Sequence, residues 1–112
     1  MRDRAVAAQI LQILDIQMPV VDLIAALAQE IATHAAPVSV ALTRQLLWRM
    51  AAAEHPMMAH RVDSRAIQTR GRSADAREGV SAFLEKRTPV YPNKVSTDMP
   101  AFFPWWDEPE FE

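Results

Sequence analysis

The sequence has 112 residues, of which 50% are hydrophobic and 23% charged, with a formal net charge of −2. This length allows one ordinary domain, and the composition is that of a globular rather than a disordered chain. With only two glycines and no cysteine, the chain lacks a glycine-rich phosphate loop, disulfides, thiolate metal sites and a cysteine nucleophile.

The first 18 residues are predicted to form an amphipathic helix of unclear origin, because Val6, Ile10 and Leu14 recur at helical spacing. Pro19 is expected to end this helix. Polar residues at positions 9, 12, 15 and 17 interrupt the apolar stretch that a signal peptide would need, so we expect a cytoplasmic protein. No segment reaches the roughly 18–20 apolar residues of a membrane span, so no membrane partner is expected.

Two amphipathic helices are predicted next, over 22–34 and 37–53. Asp22 is placed to cap the first, and Pro37 suits the first turn of the second. The predicted apolar faces are Leu23, Ile24, Leu27 and Ile31 for the first helix, and Val38, Leu42, Leu46, Leu47 and Met50 for the second.

Two further helices are predicted between Pro56 and Pro89. The first carries Met58, Val62, Ala66 and Ile67 on one face, and Gly71 is expected to follow it as a left-handed C-terminal residue. Ser73 is a favourable N-cap for the second. Its predicted buried face consists of Ala76, Val80, Phe83 and Leu84.

The chain changes character from Pro89 onward, where five of its eight prolines, Pro89 included, and two of its three tryptophans lie. Residues 92–112 are predicted to form an extended acidic and aromatic tail. The tail either docks through Phe103, Trp105 and Trp106 on its own helices or a neighbouring subunit, or stays solvated as chain ends often do. The predicted fold class is therefore all-α, with three to four amphipathic helices besides the N-terminal helix and the tail.

The sequence contains few candidates for metal-binding or catalytic residues. His55 and His60 are five residues apart, which does not place them on one helix face as a metal pair, so no metal site is predicted. Glu78 and Glu85 are the acid–base candidates on the last helix, with Glu30 and Glu54 elsewhere, and we interpret all four as surface charges near basic residues. The Arg and Lys excess of residues 44–87 is interpreted as a solvated basic face or a surface for an anionic ligand.

The segment Ser73–Arg87 reads SADAREGVSAFLEKR and is followed by Pro89 and Tyr91. It resembles the closing helix of the enoyl-CoA hydratase (crotonase) superfamily, whose pattern D-x-R-E-G-x-x-A-F-x-E-K-R it matches throughout. The preceding helices and the tail are also similar to members of that superfamily, so the resemblance extends over about residues 20–106. It divides the chain into 1–18, a crotonase-like helical region over 19–91, and the tail over 92–112.

The resemblance implies acyl-CoA metabolism, as hydratase or isomerase, but also that the catalytic spiral domain lies outside these residues. No catalytic residue is carried over, and the chain alone is expected to be inactive. The closing helix of the family lies near the adenine and phosphates of coenzyme A, so Phe83, Lys86 and Tyr91 are candidates for the rim of a CoA site. Because Phe83 lies on the predicted buried face, a core role is the competing interpretation.

Several functions remain open from the sequence. The chain is a truncated enoyl-CoA hydratase-like protein that serves oligomer contacts and a CoA rim, or a stand-alone helical interaction module without catalysis. A helix-turn-helix DNA-binding role around Ala36 and Pro37 is disfavoured, because the break has no glycine and the basic face is sparse. The expected partners are a second copy or a crotonase-type catalytic domain, with acyl-CoA as ligand, no bound cofactor and no nucleic acid.

Overall fold

The computed structural model describes residues 20–111, which contain four helices and no strand. The helices are α1 (Val20–His34), α2 (Pro37–Met50), α3 (Pro56–Gly71) and α4 (Ala74–Glu85). The predicted all-α class is confirmed. The helix predicted over residues 5–17 lies outside the described residues. The chain divides into two compact units, residues 1–33 and 34–112.

The described part of the first unit consists of α1. This helix begins at Val20, so Asp22 lies in its first turn and is not the predicted N-cap. There its carboxylate complements the positive end of the helix dipole. The predicted apolar face is present but exposed, at Leu23, Ile24, Leu27 and Ile31.

Local signals in the sequence fix the starts of the three helices in the second unit. Pro37 and Pro56 stand in the first turns of α2 and α3, where a missing N–H is tolerated. The His55 side chain caps α3 by accepting from the backbone N–H of Met57 at 3.0 Å. Ser73 caps α4 by accepting from the backbone N–H of Ala76 at 3.2 Å, as predicted.

The ends of α3 and α4 differ from the expectation for Gly71. That residue lies inside the last turn of α3, and the following Arg72 is right-handed. The left-handed residue is instead Lys86 after α4, with φ 56°. The backbone N–H of Arg87 bonds to the carbonyl of Ala82 at 3.0 Å and that of Lys86 to Phe83 at 3.3 Å, which is the Schellman arrangement.

The core of the second unit lies where α2 and α3 pack together and the tail covers them. Val38 and Leu42 of α2 and Ala66 of α3 are buried there. Met99, Phe102, Phe103 and Trp105 of the tail pack against these three residues. These three buried aliphatic side chains form only a small cluster. The large aromatic side chains of the tail fill the space beside it and supply most of the additional apolar contact area.

Several residues predicted to be buried are exposed. On α4, Val80, Phe83 and Leu84 are all exposed, whereas Ala82 and the polar Asp75 are buried. Leu47 of α2 and Met58 and Ile67 of α3 are exposed as well. The helical spacing correctly identified Val38 and Leu42 as the buried residues of α2, whereas α4 faces the unit with Ala82 and Asp75.

None of the four helices described here combines the length and apolarity needed to cross a membrane.

Candidate functional site

The predicted rim residues Phe83 and Lys86 lie together at the exposed end of α4. The Phe83 ring is 71% exposed, so it is not the core residue of the competing interpretation. The Lys86 ammonium lies 4.7 Å from the centre of that ring, within the range of a cation–π contact. This end of the helix therefore presents an aromatic face and a cation side by side.

Lys86 occupies its position at a conformational cost. A left-handed backbone is about 1–2 kcal/mol less favourable for a residue with a Cβ, and glycine is the usual occupant. The Schellman turn nevertheless carries a lysine, whose side chain returns over the last turn of α4. Such an outlier favours a use for the side chain over a purely structural role.

Tyr91 is brought to the same helix by the segment that follows it. Its ring lies over Gly79, and a Cβ built on that glycine would be 3.7 Å from the ring, an ordinary contact. Tyr91, Phe83 and Val80 line a groove of about 470 Å³ between α4 and the start of α2. Two of the three predicted rim residues, Phe83 and Tyr91, thus line one largely apolar groove, and Lys86 lies beside Phe83. Their role toward CoA stays a prediction.

A buried ion pair fixes the segment that carries Tyr91. The carboxylate of Asp75, only 3% exposed, accepts from Arg70 Nη2 at 2.7 Å and from the backbone N–H of Asn93 at 2.9 Å. Arg70 also donates to Asn93 Oδ1 at 3.0 Å. The aspartate of the D-x-R-E-G pattern therefore holds α3, α4 and the following segment together.

A second carboxylate of the pattern, Glu78, fastens the chain just after α4. It accepts from both terminal nitrogens of Arg87, at 2.6 and 3.0 Å, and from the backbone N–H of Val90 at 2.7 Å. Glu85 binds the same guanidinium at 2.6 Å. The bond from Arg87 is the main cause that lowers the pKa of Glu78 to about 2, and the bond from Val90 adds to it. Glu78 is thereby held ionised, which disfavours it as a general acid.

Low pH should weaken the bonds by which Glu78 holds the segment after α4. Because the folded-state pKa of Glu78, about 2, is below its ordinary 4.5, its stabilising contribution is complete above pH 4.5 and is lost as the pH falls through about 2. Bonds from the Lys94 backbone and the Thr97 hydroxyl lower the pKa of Asp98, which acts in the same direction. We expect Glu78→Gln to flatten the fall in urea midpoint between pH 4.5 and 2.5.

Glu85→Gln is the matched control for that measurement, since it removes a carboxylate from the same arginine but leaves the acceptor of Val90 in place. Its midpoint should fall with acid as the parent's does. Equal slopes for the parent and Glu78→Gln would contradict the role assigned to Glu78.

The tail docks through an aromatic cluster, in agreement with the docking prediction. Neighbouring rings meet edge to face, with centres 5.2 Å apart for Phe103 and Trp106 and 4.9 Å apart for Trp105 and Trp106. Arg49 of α2 stacks on Trp106, its guanidinium carbon 3.6 Å from the ring centre, and binds Glu108 at 2.8 Å. The other predicted anchors, Phe103 and Trp105, contact the core directly.

The remaining candidates are not brought into one site. His55 is a helix cap, and His34 ends α1. Within residues 20–111 no three His, Asp or Glu side chains are grouped so that they could hold a metal ion. The roles of Arg70 and Asn93 could not be predicted from the sequence, because the contacts of Asp75 with residues five positions before it and 18 after it follow no helical period.

Three curated proteins of Alternaria alternata are similar to a stretch of 64 residues in this chain. Enoyl-CoA hydratase AFT3-1 is 46% identical over it, Enoyl-CoA hydratase ACTT3 44% and Enoyl-CoA hydratase AKT3-2 41%. The resemblance to the crotonase superfamily is confirmed. No protein-family model matches the chain.

The similarity to these enoyl-CoA hydratases covers only part of this chain and a smaller part of each relative. The matched stretch is 57% of this chain, and it spans about a fifth, 21%, of the length of each curated relative. The similarity therefore concerns one portion of each of these proteins.

Proposed function

We propose that this chain provides a helical portion of an enoyl-CoA hydratase-type protein and contributes the rim of its acyl-CoA site through Phe83, Lys86 and Tyr91. The observation that carries the proposal is the 46% identity to an enoyl-CoA hydratase over 64 residues. The ligand of this role is acyl-CoA, and its protein partner is either a crotonase-type catalytic domain or a second copy of the chain.

The end of α4 suits the adenine and phosphates of a coenzyme A thioester. The exposed Phe83 ring offers a face for a planar base, and Lys86 beside it offers a cation for phosphate. Tyr91 and Gly79 form the wall of the adjoining groove. Arg70 and Asp75 also line the groove, but they are paired with each other, and the Glu78–Arg87 pair lies outside the lining.

Lys86→Gly separates function from folding, because glycine is favoured at φ 56°. We expect the variant to be about 1 kcal/mol more stable than the parent, by relief of the left-handed strain, as measured by urea unfolding. Titration calorimetry should show CoA binding about tenfold weaker, since a charge-assisted bond to phosphate contributes about 1.5–3 kcal/mol.

Lys94→Gln is the control, as it removes an exposed cation outside the groove. Equal CoA affinities for Lys86→Gly and Lys94→Gln, or no CoA binding by the parent, would refute the rim assignment. The chain alone is expected not to hydrate crotonyl-CoA, so the ultraviolet absorbance of the enoyl thioester should stay constant with purified protein.

The second candidate is a helical interaction module without catalysis, favoured by the exposed apolar side chains Val80, Phe83 and Leu84 on one part of α4. The two functions are distinguished with AFT3-1 lacking its 64 matched residues. Restoration of crotonyl-CoA hydration on adding this chain would support the hydratase role. Binding to other proteins without CoA affinity or restored hydration would support the module.

A further inference from the structure

A second cleft lies at the other end of the second unit, beside the second half of α2. It has a volume of about 890 Å³ and is bordered by the second half of α2, the loop before α3 and the docked tail. Arg44, Trp48, Arg49, Trp105 and Trp106 line it, with Met58 among its apolar contacts. This is the size of a pocket for a small organic molecule, and its lining combines indoles and guanidiniums with one carboxylate, that of the exposed Glu54.

Arg49, one of the two guanidiniums of the lining, already contacts an aromatic ring and a carboxylate of the tail. Arg49 stacks on the ring of Trp106 and binds the carboxylate of Glu108 at 2.8 Å. Trp106 Nε1 donates to the same carboxylate. These contacts of the tail show which groups the lining can bind: a planar ring stacks on the guanidinium, and a carboxylate binds at the edge of the guanidinium.

Arg44 and Trp48 form a second arginine–tryptophan pair in the lining, and no carboxylate of the described residues binds this arginine. Arg44 lies over Trp48, with 5.9 Å from the guanidinium carbon to the ring centre. Trp48 is 74% exposed, and Arg44 has no carboxylate partner within residues 20–111. An exposed indole beside an unneutralised guanidinium offers stacking area and positive charge together.

A third group in the lining also lacks a partner. Trp105 Nε1 is buried and has no hydrogen-bond acceptor in the described part of the chain. A buried donor of this kind is destabilising unless an acceptor reaches it. An anionic ligand in the cleft brings acceptor oxygens to a lining that holds two guanidiniums and this N–H.

We propose that this cleft binds a small planar aromatic acid, whose ring stacks on Trp48 and whose carboxylate pairs with Arg44. Glu108 disfavours such an anionic ligand, because its carboxylate neutralises Arg49, the other guanidinium of the lining. The site is separate from the CoA rim on α4 and does not depend on that proposal.

The test is titration of the full chain with 1-naphthoate, followed by calorimetry and by the three tryptophan indole N–H signals in NMR. Two control probes separate the two requirements for binding, an aromatic ring and a negative charge. 1-Naphthalenemethanol has the aromatic ring without the charge, and cyclohexanecarboxylate has the charge without the aromatic ring. We expect saturable binding of naphthoate, shifts of the Trp48 signal, and at least tenfold weaker binding of both control probes.

Variants locate the site. Arg44→Gln should weaken naphthoate binding about tenfold, while Arg61→Gln, an exposed arginine outside the cleft, and Lys86→Gly should leave it unchanged. Glu108→Gln should tighten binding severalfold by removing the charge that neutralises Arg49. Equal binding of the uncharged probe, an unchanged affinity in Arg44→Gln, or no binding at all would overturn the proposal.

Discussion

Replacing Asp75 with alanine is expected to lower the free energy of unfolding by about 3–5 kcal/mol, the range for removing one partner of a buried ion pair. The side chains of Arg70 and Asp75 are only 13% and 3% exposed, so the remaining guanidinium would keep its charge with little water to solvate it. The backbone N–H of Asn93 would lose its acceptor as well. Urea unfolding followed by far-ultraviolet circular dichroism measures the change.

Two further variants make this result specific. Asp107→Ala removes an exposed carboxylate of the tail and should change the stability by less than about 0.5 kcal/mol. The double variant Arg70→Met, Asp75→Leu removes both charges and should recover part of the loss, since a buried pair is often replaceable by apolar residues. A loss below about 1 kcal/mol in Asp75→Ala would show that water solvates Arg70 in solution.

Replacing Trp105 with alanine should destabilise the second unit by about 3 kcal/mol or more, as for other large-to-small changes of aromatic core residues. Its ring packs on the buried cluster of Val38, Leu42 and Ala66 and meets the ring of Trp106 edge to face. The loss should be read from the urea midpoint, with Trp48→Ala as the matched control. Trp48 is exposed and should contribute little to the core.

Intrinsic fluorescence provides a second measurement of the same docking. In a Trp48→Phe background only Trp105 and Trp106 emit, and both are partly buried. Their emission should be blue-shifted relative to free tryptophan and should move to longer wavelength on unfolding. Emission already at the wavelength of free tryptophan, unmoved by urea, would show that the tail is undocked.

The starts of α2, α3 and α4 could be predicted because their causes are local. Pro37, Pro56 and Ser73 act within one turn of the backbone they restrict or cap, and a single sequence displays them. The left-handed Lys86 could not be predicted in this way. Its backbone bonds resemble those of a glycine-ended helix, yet the residue is one that usually avoids that conformation.

The candidate rim was found by resemblance rather than by periodicity, which placed Phe83 in the core. Spacing shows that Val80, Phe83 and Leu84 share a face, but it does not show whether another element covers that face. Here the small Ala82 and the ion-paired Asp75 are the residues that face the unit. The opposite outcome holds for α2, where the tail covers Val38 and Leu42.

The sequence by itself determined the all-α class, the breaks between helices, the aromatic tail and the likeness to enoyl-CoA hydratases. Only the tertiary structure decided that Asp75 and Glu78 hold the chain after α4, and that Phe83 and Lys86 stand together in solvent. The physical reason is the separation along the sequence over which each interaction acts. Capping and periodicity involve residues a few positions apart, whereas an ion pair or a covered helix face depends on segments that meet only after folding.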